Sequence, residues 1–209
     1  SHISFALKKG ESLGIIGSTG CGKTTIINLL MRFYDVDQGD VLIEGRNVQT
    51  FELAELRQHF GVVFQNDVLF ADTIFENINF GRGLTRKEVA AAAEYAQALP
   101  FIENLSKGFD SEVAAMGTNF SGGQKQRMLI SRALAAHPEI LILDDSSSAL
   151  DYKTDAALRK ALREHFTGTT SIIVAQRISS IYQCDHVMVL EDGQCVGYGT
   201  HEELMKNCE

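Results

Sequence analysis

Gly17-Ser18-Thr19-Gly20-Cys21-Gly22-Lys23-Thr24 fits the pattern G-x-x-x-x-G-K-[ST], and the reading of this chain turns on it. Upstream, residues 13–16 form a short apolar run that ends at a glycine. Downstream from Lys23, Ile26, Ile27, Leu30 and Met31 share one helical stripe. The order is strand, glycine-rich loop, helix. Glycines at 17, 20 and 22 let the backbone turn its N–H groups inward around phosphate oxygens, and the helix adds the positive end of its dipole. In such a loop Lys23 reaches the β- and γ-phosphates of a nucleoside triphosphate and Thr24 offers its hydroxyl to Mg²⁺. Thr25 joins residues 17–24 as a nucleotide-contacting candidate. Cys21 is either a small space-filler or a reactive thiol; as a thiol, its alkylation would block nucleotide binding and ATP would protect it.

A second stretch, Ile140-Leu141-Ile142-Leu143-Asp144-Asp145, reads as a strand buried on both faces and ending in two acids. Asp144 stands at its carboxyl end, where ligands bind in open α/β sheets, and is a candidate to hold Mg²⁺ directly or through water. Around these anchors the pattern predicts strands at 3–7, 41–43, 61–64, 171–174, 186–190 and 195–199, the last two joined by the turn Glu191-Asp192-Gly193-Gln194. It predicts helices at 53–57, at 85–99 (capped by Thr85 and closed by Pro100), at 121–137 before Pro138, and at 154–166. Strands alternating with helices argue for an α/β sheet, and the helices between 72 and 137 for an inserted helical lobe.

The 209 residues, 44% hydrophobic and 22% charged with only 2 prolines, suffice for one well-cored domain and are too apolar for disorder. The net charge of −8 gives no basic field to attract nucleic acid, so an anionic ligand must be held by local geometry. No apolar run approaches 18 residues, and residues 1–10 lack the apolar core of a signal peptide. Cys21, Cys184, Cys195 and Cys208 form no C-x-x-C pair, which points to a reducing cytoplasm, and the six histidines show no metal-ligand spacing. The chain opens mid-element, as a fragment of a longer polypeptide would.

Phe120-Ser121-Gly122-Gly123-Gln124 opens a helix, and its hydroxyl and glycine backbones could cradle another phosphate. Followed by Lys125-Gln126-Arg127 and standing before the acidic strand, it resembles the signature of ATP-binding cassette (ABC) proteins. The likeness runs along essentially the whole chain. Phe64-Gln65 is similar to the glutamine loop, Ser148-Ala149-Leu150-Asp151 to the D-loop, and residues 174–177 to the switch loop. Residues 69–78 and Thr200-His201-Glu202-Glu203-Leu204 resemble segments typical of exporters.

The resemblance implies an α/β fold: a RecA-like P-loop NTPase core, mainly a parallel sheet with a small antiparallel β portion, over about 1–71 and 138–209. An α-helical subdomain is inserted at about 72–137. It implies a nucleotide-binding domain of an exporter, using ATP and Mg²⁺ at the cytoplasmic face of the plasma or inner membrane. Its partners would be a second nucleotide-binding domain and the transmembrane domain of the same polypeptide, with no nucleic acid and no membrane contact of its own. Two such domains pair head to tail, trapping ATP between residues 17–24 of one and Ser121, Gly122, Gly123 and Gln124 of the other. Gln65 would sense Mg²⁺ and the γ-phosphate, with Thr24 and Asp144 as the other metal candidates. Lys23, Gln65, Asp145 and Gln176 would be the catalytic set.

The sequence departs from that pattern in chemically pointed places. The acid after Asp144 is normally glutamate and is here Asp145; the switch position is normally histidine and is here Gln176. Aspartate is shorter by one methylene, about 1.3–1.5 Å of reach, and a misplacement of about 1 Å can cost on the order of 10²-fold in rate. Glutamine can donate to a phosphate oxygen but cannot carry the charge or shuttle the proton of an imidazole. Both changes weaken hydrolysis and leave the binding groups intact, so the expectation is an asymmetric heterodimer. This chain would own a slow, degenerate site and lend its Ser121 loop to a competent site on a different partner.

Three smaller differences accompany these. Phe120 replaces the usual leucine, and residues 112–117 are less charged than exporters often carry. The adenine-stacking aromatic would lie upstream of residue 1, so the isolated segment should bind ATP more weakly than the intact subunit. Two other readings stay open: a non-hydrolysing ATP-binding regulatory module, and a chromosome-maintenance ATPase. The stretch between Gln65 and Ser121 holds no sustained heptads for the coiled coils of the latter.

Overall fold

The computed structural model of the chain describes residues 3–145 and 148–207; Cys208 lies outside them. In chain order the elements are β1 (Ser12–Gly17), α1 (Lys23–Leu30), β2 (Leu42–Ile43), β3 (Arg46–Asn47), α2 (Leu53–Gln58) and β4 (Phe60–Val63). Then come β5 (Asp72–Thr73), α3 (Ile74–Asn79), α4 (Arg86–Tyr95), α5 (Leu99–Glu103), β6 (Glu112–Val113) and α6 (Gly122–Leu134). The chain ends with β7 (Ile140–Asp144), α7 (Tyr152–His165), β8 (Thr170–Val174), β9 (His186–Glu191), β10 (Gln194–Gly199) and α8 (His201–Asn207).

The main sheet has the order β10-β9-β1-β8-β7-β4. Every neighbouring pair in it is parallel except β10 against β9, the hairpin expected at 191–194. Side chains of a strand alternate between faces, and here the alternation separates two cores. Leu141 and Leu143 of β7 join Val63 under α6 (Met128, Ile130, Leu134) and α7 (Leu158, Leu162). Ile142 joins Leu13, Ile15, Ile172 and Val174 on the other face, against Ile26 and Ile27 of α1 and Leu56 of α2. The α/β class with a mainly parallel sheet, small antiparallel pieces and a helical insert is thus as expected.

The sheet and the helical segment meet at close quarters at Gly61. A Cβ there would lie 2.6 Å from the Ala133 carbonyl oxygen and 2.7 Å from Pro138 Cγ. Gly61→Ala is expected to destabilise the fold by about 1–3 kcal/mol through overpacking, lowering the melting temperature by roughly 2–12 °C for a domain of this size. An unchanged thermal transition would contradict that packing.

Several local expectations are corrected. Residues 3–7 form no strand: Ile3, Phe5 and Leu7 are half-buried against the second core, but no described strand pairs with them. Alternation reports which face is covered, whereas a ladder also needs a neighbour. The strand expected at 41–43 is one arm of a tight hairpin, β2–β3, turned by Glu44 (φ 49°) and Gly45 (φ 79°).

The helix expected to reach residue 99 ends at Tyr95. Gln97 takes φ 60°, and the Ala98 N–H reaches back to the Ala93 carbonyl at 2.7 Å. Pro100 is the second residue of α5 rather than the end of its predecessor, since the first turn of a helix has no use for the missing N–H. Likewise α6 stops at Leu134, three residues short, and His137 turns away at φ 46°. The Thr85–Glu88 and Ser121–Gln124 capping boxes and the Asp151 cap of α7 fix the helix starts.

Candidate nucleotide site

Because β1, β4, β7 and β8 run parallel, their carboxyl ends Gly17, Val63, Asp144 and Val174 lie along one edge of the sheet. A cleft of about 170 Å³ opens there. Thr19, Gly20, Gly22, Lys23, Thr24 and Thr25 line one side, and Gln65, Asp144, Asp145 and Gln176 the other. Residues called from four separate stretches of sequence therefore converge on one place. A larger cavity of about 560 Å³, by residues 3–9 and 40–45, brings together none of them.

The loop's shape follows from its glycines. Gly20 (φ 83°) and Gly22 (φ 103°) occupy the left-handed region, and Gly22 caps α1 without a side chain. Gly17 is small for a different reason, since a Cβ there would lie 2.2 Å from the Leu190 carbonyl oxygen and 2.6 Å from Cys21 Sγ. Cys21 is 3% exposed and packs in the second core. Of its two readings, this burial favours the space-filler.

Lys23 folds back over the loop, and its Nζ donates to the carbonyls of Gly17 and Ser18, both at 2.7 Å, with Cys21 Sγ at 3.7 Å. All three ammonium protons are thus directed at the loop itself. Oxygens of a bound polyphosphate would replace these carbonyls as acceptors.

Thr24 Oγ1 donates to Asp144 Oδ2 at 3.3 Å. Asp144 is 3% exposed, and its burial pushes its pKa above the ordinary carboxylate value. The Thr24 hydrogen bond opposes that shift, the neighbouring Asp145 adds to it, and Lys23 opposes it. A buried carboxylate beside a hydroxyl suits a small hard cation, which takes one or two protein oxygens and completes its shell with phosphate and water. Among the described residues, no group of three or more His, Cys, Asp and Glu could hold a metal on its own. These donors, with Gln65 across the same cleft, fit Mg²⁺ arriving with a nucleotide.

Asp145 follows directly, with φ 51° and its N–H donating to the Val174 carbonyl at 2.9 Å. The Gln176 side-chain amide donates to Asp145 Oδ2 at 2.9 Å. The two residues that depart from the family pattern are therefore bonded to each other.

Ser121, Gly122, Gly123 and Gln124 are elsewhere: none lines the cleft. Ser121 Oγ accepts from the Gln124 N–H at 3.3 Å, and Gln124 Oε1 accepts from the Ser121 N–H at 2.9 Å, so both side chains cap α6. The glycines abut the D-loop stretch, where a Cβ on Gly123 would lie 3.1 Å from the Ala149 carbonyl oxygen. Ser121 is exposed and its hydroxyl proton can still be donated outward.

Two contributors were missed in the sequence. Arg132 is 7% exposed; its guanidinium donates to the Val68 carbonyl (2.9 Å), the Asn77 carbonyl (2.8 Å) and Asn77 Oδ1 (3.0 Å), with Asp67 at 3.7 Å. It ties the stretch after Gln65 to α6. A cation among Met128, Leu129, Ile130, Ala133 and Leu134 was the available signal. The Gly193 N–H, at the β9–β10 turn, donates to the Cys21 carbonyl at 3.1 Å and props the phosphate loop from behind.

Comparison with known proteins gives the same picture. The family profile described as ABC transporter matches residues 1–148. The chain is 44% identical over 97% of its length to an ATP-dependent lipid A-core flippase of Methylobacillus flagellatus. It is 45% identical, also over 97%, to a putative multidrug export ATP-binding/permease protein of Staphylococcus aureus. It covers 35% of each of these proteins, and so spans about a third of the length of the curated relatives it matches. A solved structure of a bacterial Atm1-family ABC exporter with ATP bound superposes with a TM-score of 0.95 at 39% identity, over 99% of this chain and 36% of that one.

Proposed function

Because the chain belongs to the ABC transporter family, we propose that it is the ATP-binding and ATP-hydrolysing domain of an exporter. It would power transport by closing head to tail on a second such domain. The observation that carries this reading is the separation of its two phosphate cradles. The cleft at Lys23 contains no part of Ser121–Gln124, while Ser121 presents a capped helix start to solvent. In this reading the lid for the cleft comes from another domain, and this chain's Ser121 loop serves another cleft.

In this reading residues 17–25 bind the triphosphate. Thr24, Gln65 and Asp144 would hold Mg²⁺, which would supply charge neutralisation at the phosphates. Lys23 stabilises the charge that develops on the transferred group. The core comprises about 1–71 and 138–209, with a helical subdomain at about 72–137. No helix among the described residues is long and apolar enough to cross a membrane. Membrane association would come through a transmembrane domain joined to this one, with the nucleotide site on the cytoplasmic face.

Asp145 and Gln176 favour a slow site in this chain, paired in a heterodimer with a competent site on the other half. A domain that binds ATP without hydrolysing it is the second reading these two residues favour. Single-turnover hydrolysis separates the two.

The test uses the full-length subunit with and without its candidate heterologous half. Alone, the subunit should bind Mg-ATP and hydrolyse it slowly; with the partner, turnover should rise. Ser121→Arg should abolish that rise while leaving ATP binding at this chain's own cleft unchanged. Brisk hydrolysis by the subunit alone would overturn the asymmetric scheme. Weakened binding at its own cleft in Ser121→Arg would overturn the exchange of lids.

A further inference from the structure

Hydrolysis at such a site forms a bond from a water oxygen to the γ-phosphorus and breaks the bond from that phosphorus to the ADP oxygen. A base must take the water's proton as this happens. In this chain the carboxylate placed for that task is not merely short. Its Oδ2 already accepts a hydrogen bond from the Gln176 amide at 2.9 Å. The two residues project from adjacent, parallel strand ends: Asp145 one residue beyond β7, Gln176 two beyond β8. The backbone bond from Asp145 N–H to Val174 O at 2.9 Å fixes their spacing. Asp145 itself takes φ 51°, in the left-handed region.

We infer that Gln176 is a latch on Asp145: its amide ties up the carboxylate oxygen that would receive the water's proton and orients the group along the sheet edge. The site is thereby held in a nucleotide-retaining, slowly hydrolysing arrangement. This deepens the degenerate-site reading and rests on it. An amide suits the role because it donates at any ordinary pH and has no proton to yield to the carboxylate. It makes Gln176 a positioning residue acting through Asp145, which differs from a weak stand-in for a phosphate-binding histidine. The two roles predict opposite signs. If Gln176 served the γ-phosphate, its removal would slow hydrolysis further; as a latch, its removal frees the base.

The experiment is single-turnover hydrolysis of Mg-ATP by the full-length subunit carrying Gln176→Ala, Asp145→Ala or both. The side chain of Gln176 is exposed, so its truncation leaves the core untouched. Gln176→Ala should raise the rate on the order of tenfold, part of the 10²–10⁴ a positioned base supplies. In the Asp145→Ala background the same change should do nothing.

A second readout needs no nucleotide. In ¹⁵N-glutamine-labelled protein the Gln176 side-chain amide resonance, assigned by its loss in Gln176→Ala, should shift when Asp145 is replaced by alanine. An unchanged or lowered rate in Gln176→Ala, or an amide resonance indifferent to Asp145, overturns the latch. Fast hydrolysis by the unmodified site would overturn the degenerate reading instead, so the two failures are distinguishable.

Discussion

Lys23→Ala is expected to remove nucleotide binding almost entirely. Among the described residues the Lys23 ammonium is the one cation lining the cleft, and truncating one partner of a desolvated, hydrogen-bonded charge pair costs about 2–5 kcal/mol, or roughly a 30- to 4,000-fold weaker Kd. The native fold should scarcely notice. The carbonyls of Gly17 and Ser18 that Lys23 now bonds lie on a partly exposed loop where water can replace it. Thermal melting separates the two effects. A ligand at about 100 times its Kd stabilises by about 2.7 kcal/mol, which is roughly 5–11 °C for a domain of this length. Unmodified protein should show that shift with Mg-ATP, and in Lys23→Ala it should fall to about a third or less of its size. An undiminished shift in the variant would remove the phosphate loop from the account.

The second large effect runs the other way. Asp145→Glu combined with Gln176→His is expected to raise single-turnover hydrolysis at this site by on the order of 10²-fold, the scale of a reacting group brought about 1 Å closer. Glutamate recovers the missing methylene, and histidine replaces an amide now bonded to the carboxylate at 2.9 Å with a ring that can carry charge. The two substitutions should not be additive, because each residue is the other's hydrogen-bond partner. Asp145→Glu alone leaves the Gln176 amide as a donor to the longer carboxylate, so its gain should be the smaller share. No gain in the double variant would mean that these positions do not set the rate.

Much of the site was legible because its chemistry is local. The loop at 17–24 is defined by glycines whose freedom is needed within eight residues, and the strand 140–144 by an unbroken apolar run ending in acid. The failures were of another kind. Pro100 was read as a stop, yet it lies in the first turn of α5, because a proline tells only that its own N–H is missing, not which side of it is helical. Residues 3–7 carried a strand's alternation but no ladder, and the paired β5–β6 strands, with Asp72 opposite Val113, went unforeseen since each contributes two residues. Arg132 was passed over because its partners, Val68 and Asn77, stand more than fifty positions away.

What the sequence determined by itself, then, was the set of chemical groups and the short-range geometry that a few consecutive dihedrals can impose: the amide cradle, the capped helix starts, the acids at a buried strand's end. What only the tertiary structure decided was which of those groups face each other. Lys23 turned onto its own loop, Gln176 bonded to Asp145 across adjacent strands, and Ser121 was held outside the cleft it resembles a lid for. The reason is one of range. Backbone preferences act over a few residues, whereas strand order and register, which bring position 145 beside 176, are set by burying two apolar faces at once.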